Sequence, residues 1–295
     1  MIQHRSARVL AAVLLAWLCA APRAHADASL HSLWELHGKR NTVYLLGSIH
    51  VLRPSDYPLA QPVLDAYARS GALVMEVDLD DLEKPETAAD LLAESRLPAG
   101  KSLPTVLGDR RYARAAALAR DAGAELAAFD GFAPWFAAEA VSQLQLAKLG
   151  FDPQSGVEMY FLEKAHQDGK AVTGLETVHD QIALFGQLSL DTQADYLLAS
   201  LEEAHELPSE VDALVAAWKQ GDTRWFEKEL RQEFGDDPRL YESLITGRNR
   251  KWVPKIEALL TEDGNYLVIV GTGHLVGRGS VIELLKKDGI GATQK

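Results

Sequence analysis

The chain has 295 residues, 47% of them apolar, and carries 30 Lys and Arg against 42 Asp and Glu, a formal charge of −12. Such an acidic chain, with no Lys/Arg cluster interleaved with aromatics, repels phosphate backbones, so nucleic-acid binding is not expected. The single cysteine, Cys19, falls in a segment expected to be removed, which takes disulfides, thiolate ligands and a Cys nucleophile away from the mature protein.

At the N-terminus, Arg5 and Arg8 precede an apolar run over 9–21, and Ala24-His25-Ala26 forms an Ala-x-Ala cleavage site. This is the pattern of a signal peptide over 1–26 and predicts an exported protein, periplasmic or secreted. Leu18 before Cys19 is not the small residue that lipidation requires. No later apolar run reaches about 18 residues, so no stable membrane span is expected after cleavage. Loss of Arg5, Arg8 and Arg23 leaves 27 basic side chains and a formal charge of −15 on the mature chain. That excess serves solubility and is compatible with attracting cations.

The mature chain, 27–295, reads as a single α/β domain: a mixed central sheet entered by an N-terminal β-hairpin, covered by helices and carrying a helical insertion. Apolar runs over 30–36 and 41–47, separated by His37-Gly38-Lys39-Arg40, predict the hairpin. Strands follow at 72–77, 171–175 and 266–270. Helical periodicity covers 59–69, 110–122, 134–149, 156–167, 192–206, 209–219, 248–260 and 280–287. The stretch 177–247 is almost wholly helical and is expected as an insert between two strands.

Two turns of the form Gly-x-x-His each follow an apolar strand: Gly47-Ser48-Ile49-His50 and Gly271-Thr272-Gly273-His274. Chance alone gives about 0.7 such pairs in a chain of this composition, so their position after strands carries the weight. A Gly there is expected to permit a turn other residues resist, lifting its His to the upper rim of the sheet, where ligand sites of such sheets gather.

Glu76, within the third strand run, and Glu176, directly after the fourth, are the acidic companions. A carboxylate buried there without a partner costs several kcal/mol, by order of magnitude, so each needs a cation, a metal or strong donors. The plainer alternatives are an edge-strand Glu76 facing solvent and a Glu176 that caps the following helix. Two His with one or two Glu make an N/O ligand set that suits Mn, Co, Zn or Fe without choosing among them. Arg248 is placed to pair a site carboxylate or a substrate carbonyl, and Asn249 to cap its helix. A di-metal helical bundle, suggested by the Glu-x-x-His spacings at Glu163/His166, Glu176/His179 and Glu202/His205, conflicts with the strands. Serine-hydrolase, Walker and dinucleotide motifs are absent from the sequence.

The segments Leu45-Leu46-Gly47-Ser48-Ile49-His50-Val51, Met75-Glu76-Val77-Asp78, Gly156-Val157-Glu158, Gly174-Leu175-Glu176-Thr177 with Gln181 and Phe185, Arg248-Asn249 with Trp252, and Gly271-Thr272-Gly273-His274-Leu275-Val276-Gly277 resemble, in order, those of the TraB/GumN family. That family includes the TIKI metalloproteases. The resemblance implies a fold similar to the haem-binding ChaN and erythromycin-esterase group, and a peptidase-like hydrolase dependent on a divalent metal such as manganese or cobalt. Carried over by position, it implies His50, His274, Glu76 and Glu176 as metal ligands, with Glu76, Glu176 and Arg248 in catalysis and Glu158 as a weaker candidate. The substrate expected is a peptide or small molecule. The competing expectation is a non-catalytic metal- or haem-binding protein. A third is a vestigial rim, with the helical insert docking a partner.

Overall fold

The computed structural model describes residues 30–50, 52–202, 207–234 and 238–295; the expected signal peptide and His205 lie outside them. Strands β1 (Leu33–His37), β2 (Thr42–Ser48), β3 (Ala72–Met75), β4 (Ala171–Gly174), β5 (Tyr266–Gly271) and β6 (Ala292–Gln294) form one mixed sheet in the order β4-β3-β5-β2-β1-β6. β4, β3, β5 and β2 run parallel, while β1 pairs antiparallel with β2 and with β6. The expected hairpin is present, with Leu33 opposite Leu46. β6 has no apolar run to announce it. Its three residues, Ala-Thr-Gln, extend the sheet through main-chain pairing with β1.

The two central strands are unbroken apolar runs because layers cover both their faces. Val43, Leu45, Leu46 and residues 267–270 are all fully buried. The edge strands β4 and β6 have only four and three residues, which limits the unpaired backbone a partner chain could extend.

Helix α1 (Gln61–Arg69) links β2 to β3. Between β3 and β4 lie α2 (Pro85–Glu94), α3 (Leu103–Asp121), α4 (Pro134–Lys148) and α5 (Val157–Asp168). Between β4 and β5 come α6 (Val178–Gly186), α7 (Leu190–Glu202), α8 (Leu207–Lys219), α9 (Thr223–Phe234), α10 (Pro238–Tyr241) and α11 (Gly247–Leu259), and α12 (Val281–Lys287) precedes β6. α2 lies outside the helical stretches expected from the sequence, and none of its residues is buried. α3 begins earlier than expected because it runs across a break at Gly108, where φ is 73°.

The helices between β4 and β5 divide between two packing units. α7 joins α3 and α4 around Ala115, Ala119, Ala137, Ala138, Ala194 and Leu197, where small side chains allow close helix approach. Val211, Val215 and Trp218 of α8 and Phe226 of α9 instead enter the sheet's own core. Val77, Trp135, Val178 and Ile182 bridge the sheet rim to the helical unit.

The parallel register decides where the chemistry collects. Ser48 pairs with Gly271, Met75 with Ile269, and Met75 with Gly174. The chain therefore leaves β2, β5, β3 and β4 at one rim, directly before His50, His274, Glu76 and Glu176.

Candidate functional site

Glu76 lies one residue past the end of β3, not inside a strand, so its side chain is free of the sheet's alternation and turns over the rim. The backbone N–H of Gly271 donates to its Oε1 at 2.7 Å. The glycines of the two turns also act differently from expectation, since neither has a positive φ. They provide room. A Cβ on Gly47 would stand 2.8 Å from Oγ1 of Thr272, and one on Gly271 would stand 3.3 Å from Oε1 of Glu76. The turns after β2 and β5 are thus pressed together, and Thr272 Oγ1 donates across them to the Ser48 carbonyl at 3.0 Å.

Arg248 is the centre of the rim. Its Nη2 donates to Oε2 of Glu76 and to Oε1 of Glu176, both at 2.6 Å, and its Nε donates to Oε1 of Glu176 at 3.0 Å. Nη1 lies 3.0 Å from Nε2 of His274. The three side chains that share this ion pairing are only 9–13% exposed. Burial works against the charge on Arg248, but Glu76 and Glu176 more than compensate and raise its pKa. Burial likewise works to raise the Glu76 carboxyl; His274, Arg248, His50 and the Gly271 N–H outweigh it and hold the pKa at about 2. Gln181 Nε2, at the exposed-to-buried boundary of α6, adds a donor to Oε2 of Glu76 at 3.0 Å.

Helix α11 supplies Arg248 and the groups around it. Trp252, four residues on and fully buried, donates Nε1 to Oε2 of Glu176 at 3.1 Å and lies beneath the guanidinium, 4.6 Å from ring centre to Cζ. Lys255, one further turn along, donates Nζ to the carbonyl of Leu175 at 2.5 Å. Spacings of four and seven put these residues on one helix face. A π-helical turn over Glu242–Thr246 leads into the helix, a local irregularity frequent at functional sites. Glu176 is therefore an ion-pair partner; the helix cap is Thr177, whose Oγ1 accepts from the N–H of Asp180 at 3.1 Å.

Asn249 is also not a cap. It is fully buried in the first turn of α11, and its Nδ2 donates to the carbonyls of Gly279 at 2.9 Å and His274 at 3.4 Å. That orients Oδ1 toward Nδ1 of His274, 2.6 Å away. With Nδ1 as donor to an amide oxygen, Nε2 carries the lone pair and accepts from Arg248. His274 is thereby fixed as a neutral imidazole, and burial together with the Arg248 charge lowers its pKa to about 4 against the opposing pull of Glu76.

His50 has the opposite surroundings. Its ring is 74% exposed, and its Nδ1 meets Oε1 of Glu158 at 2.9 Å. The charge of Glu158 and the hydrogen bond to it push His50 up to about 9. Burial alone would raise the Glu158 carboxyl; His50 and the Ser48 hydroxyl, which donates to it at 2.5 Å, bring it below its ordinary value. Glu158 stands in the first turn of α5, beside the His50 turn.

The four expected ligands are thus gathered at one rim, but not around a common point. A divalent ion needs the same lone pairs that Arg248 holds. Among the described residues, no group of three or more His, Cys, Asp or Glu is arranged to hold an ion. Glu76, Glu176 and Nε2 of His274 converge on the guanidinium, and His50 turns to Glu158. As arranged, the ligand set does not fit a divalent metal. The Glu163/His166 pair is no better placed, since His166 bonds Asp80 at 2.9 Å and Glu163 accepts from Gln167. Also among the described residues, no helix is long and apolar enough to cross a membrane.

The family model described as "TraB/PrgY/gumN family" matches residues 32–294. The chain is 26% identical over 251 residues to "Uncharacterized protein YbaP" of Escherichia coli (strain K12), covering 85% of this chain and 90% of the relative. It is 20% identical over 267 residues to an "Uncharacterized protein" of Treponema pallidum (strain Nichols), with coverages of 86% and 80%. No solved structure matches.

Proposed function

Because the chain belongs to the TraB/PrgY/gumN family, and because its rim holds two imidazoles in opposite protonation states, we propose that it is an exported hydrolase. Its substrates carry an amide or peptide bond. Export rests on the basic, apolar and Ala-x-Ala pattern over 1–26.

The observation that carries the reading is the pairing of a neutral His274, fixed by Asn249 and Arg248, with a cationic His50, fixed by Glu158. Environments that drive two titratable groups apart assign an acid and a base. His274 Nε2 is the proton acceptor for an attacking water. As Arg248 turns from Nε2 toward the developing oxyanion, the nearby Glu76 charge favours the imidazolium that forms. The exposed edge of His50 gives its proton to the leaving amine, and Glu158 holds the ring in place for that transfer. Glu76 and Glu176 hold Nη2 and Nε of the guanidinium in place while Nη1 makes that turn toward the oxyanion. No step in this reading is routed through a metal.

Cleavage of a mixed peptide library by the mature protein, with and without chelator, tests this. The reading predicts chelator-resistant cleavage that falls by about 10²-fold or more in His274→Ala, as for loss of a general base. Absence of cleavage under every condition overturns it.

One observation favours a second reading, a divalent-ion binder. Glu76, Glu158 and Glu176 face Arg248 and His50, leaving the cluster with an excess of carboxyl groups. An added cation would take Glu76 and Glu176 from Arg248. Calorimetric titration of the chelated protein with Mn²⁺ or Zn²⁺ separates the two readings.

A further inference from the structure

A cavity of about 250 Å³ has in its lining Leu46, the residue that precedes the Gly47-to-His50 turn. Its apolar wall is formed by Leu46 near the end of β2, Pro58 and Leu59 in the segment before α1, Val63 in the first turn of α1, and Trp218 at the end of α8. Each of its polar neighbours makes at least one bond to protein. Asp56 accepts from Lys219 Nζ at 2.7 Å and from the Arg53 N–H at 2.8 Å; Ser32 Oγ donates to the Trp218 carbonyl at 3.2 Å; and His31 Nδ1 meets the Lys219 carbonyl at 3.2 Å. The indole N–H of Trp218 donates to the Gly47 carbonyl at 2.7 Å. A ligand entering here meets the apolar wall beside the Asp56–Lys219 ion pair, and the part of it that lies on that wall is recognised by its own apolar surface.

The cavity is fastened to the site. Gly47 opens the turn that carries His50, and both its backbone groups are held by cavity residues: its N–H donates to the Ser32 carbonyl at 2.7 Å and its carbonyl accepts from Trp218. The size is that of one or two aliphatic or aromatic side chains, far short of a folded partner.

We propose that this cavity receives an apolar side chain, of leucine size or larger, from the peptide or amide substrate, next to the bond presented at the His50 turn. The proposal rests on the hydrolase reading for its substrate and on the cavity alone for its selectivity. A pocket of this kind distinguishes small apolar side chains by about tenfold or more.

The test follows the indole N–H resonance of Trp218 in the full mature chain, assigned by its loss in Trp218→Phe. The probes are N-acetyl-leucinamide and N-acetyl-alaninamide. The leucine compound is expected to shift the resonance saturably, at about one tenth the concentration the alanine compound needs. Ala60→Phe, which adds bulk to the lining, is expected to abolish that shift while leaving the other indole resonances in place. Should Ala60→Phe fail to fold, Val63→Ala enlarges the cavity and is expected to shift preference toward N-acetyl-phenylalaninamide. Equal response to both probes, a leucine response that survives Ala60→Phe, or unchanged preference in Val63→Ala overturns the proposal. Selective binding without cleavage of any peptide upholds the cavity and sinks the hydrolase reading. Cleavage indifferent to leucine or alanine, with no resonance shift, does the reverse.

Discussion

Oδ1 of Asn249 lies 2.6 Å from Nδ1 of His274, and that bond sets which nitrogen of the imidazole faces Arg248. Because the amide's Nδ2 is anchored to the Gly279 and His274 carbonyls, the oxygen cannot exchange places with it without losing both bonds. Asn249→Asp places a carboxylate against Nδ1 and is expected to raise the His274 pKa above about 4. A histidine titration by NMR reads the shift directly, and an unmoved pKa contradicts the assignment. Asn249→Ala, which orphans a buried N–H and two carbonyls, is expected to cost about 1–3 kcal/mol in urea unfolding.

Arg248 holds Glu76, Glu176 and Nε2 of His274 together, so its removal has two expected consequences. Arg248→Met leaves Glu76 and Glu176 without their cation, and such losses cost about 3–5 kcal/mol. It also frees Nε2 of His274 and both carboxylates for an ion. Added Zn²⁺ should therefore raise the thermal midpoint of Arg248→Met while leaving the wild type unchanged. Equal stabilisation of both proteins contradicts this account of the rim.

The pH dependence of stability follows from the same groups. His274 has a folded pKa of about 4, below its ordinary 6.5, so its contribution is full above 6.5 and lost as pH falls through 4. Glu76, at about 2 against 4.5, acts in the same direction at lower pH, full above 4.5 and lost toward 2. His50, at about 9, contributes fully below 6.5 and loses its contribution as pH rises through 9. His50 is largely exposed, so this alkaline effect is expected to be small beside the acid one. Denaturation curves between pH 3 and pH 10 check the asymmetry; greater loss on the alkaline side contradicts it.

Much of this was legible in the sequence, and the misses have physical causes. The unbroken apolar runs of β2 and β5 identify strands buried on both faces, and the residues after four strand ends name four members of the rim. Periodicity could not show that Glu76 lies past the end of its strand, because an isolated acidic residue interrupts a run in the same way as one that ends it. Nor could it show that Asn249 bonds an imidazole: an Asn near a helix start reads as a cap until the partner, 25 residues away in sequence, is placed beside it. The four-residue spacing of Arg248 and Trp252 was a usable signal for a shared helix face. Glu158 was named only through the family pattern, and its bond to Ser48 needed tertiary contact, since 110 positions separate them.

The approach of the two Gly-x-x-His turns gives a structural prediction. Gly47→Ala sets a methyl group against Thr272 and is expected to destabilise the protein by about 1–3 kcal/mol, the range of core overpacking. Thr272→Ala, by removing the hydroxyl that Gly47 approaches, should recover part of that loss in the double variant. Simple additivity of the two single losses would show that the clash is not the cause.

The opposed states of His50 and His274 are tested most directly by the pH profile of kcat/KM for peptide hydrolysis in the presence of chelator. The account predicts a bell with its lower limb near 4 and its upper limb above 6.5, the ordinary histidine value. Glu158→Gln should move the upper limb down toward 6.5 and leave the lower one in place. Hydrolysis that appears only when a divalent ion is added, or an upper limb unmoved by Glu158→Gln, contradicts it.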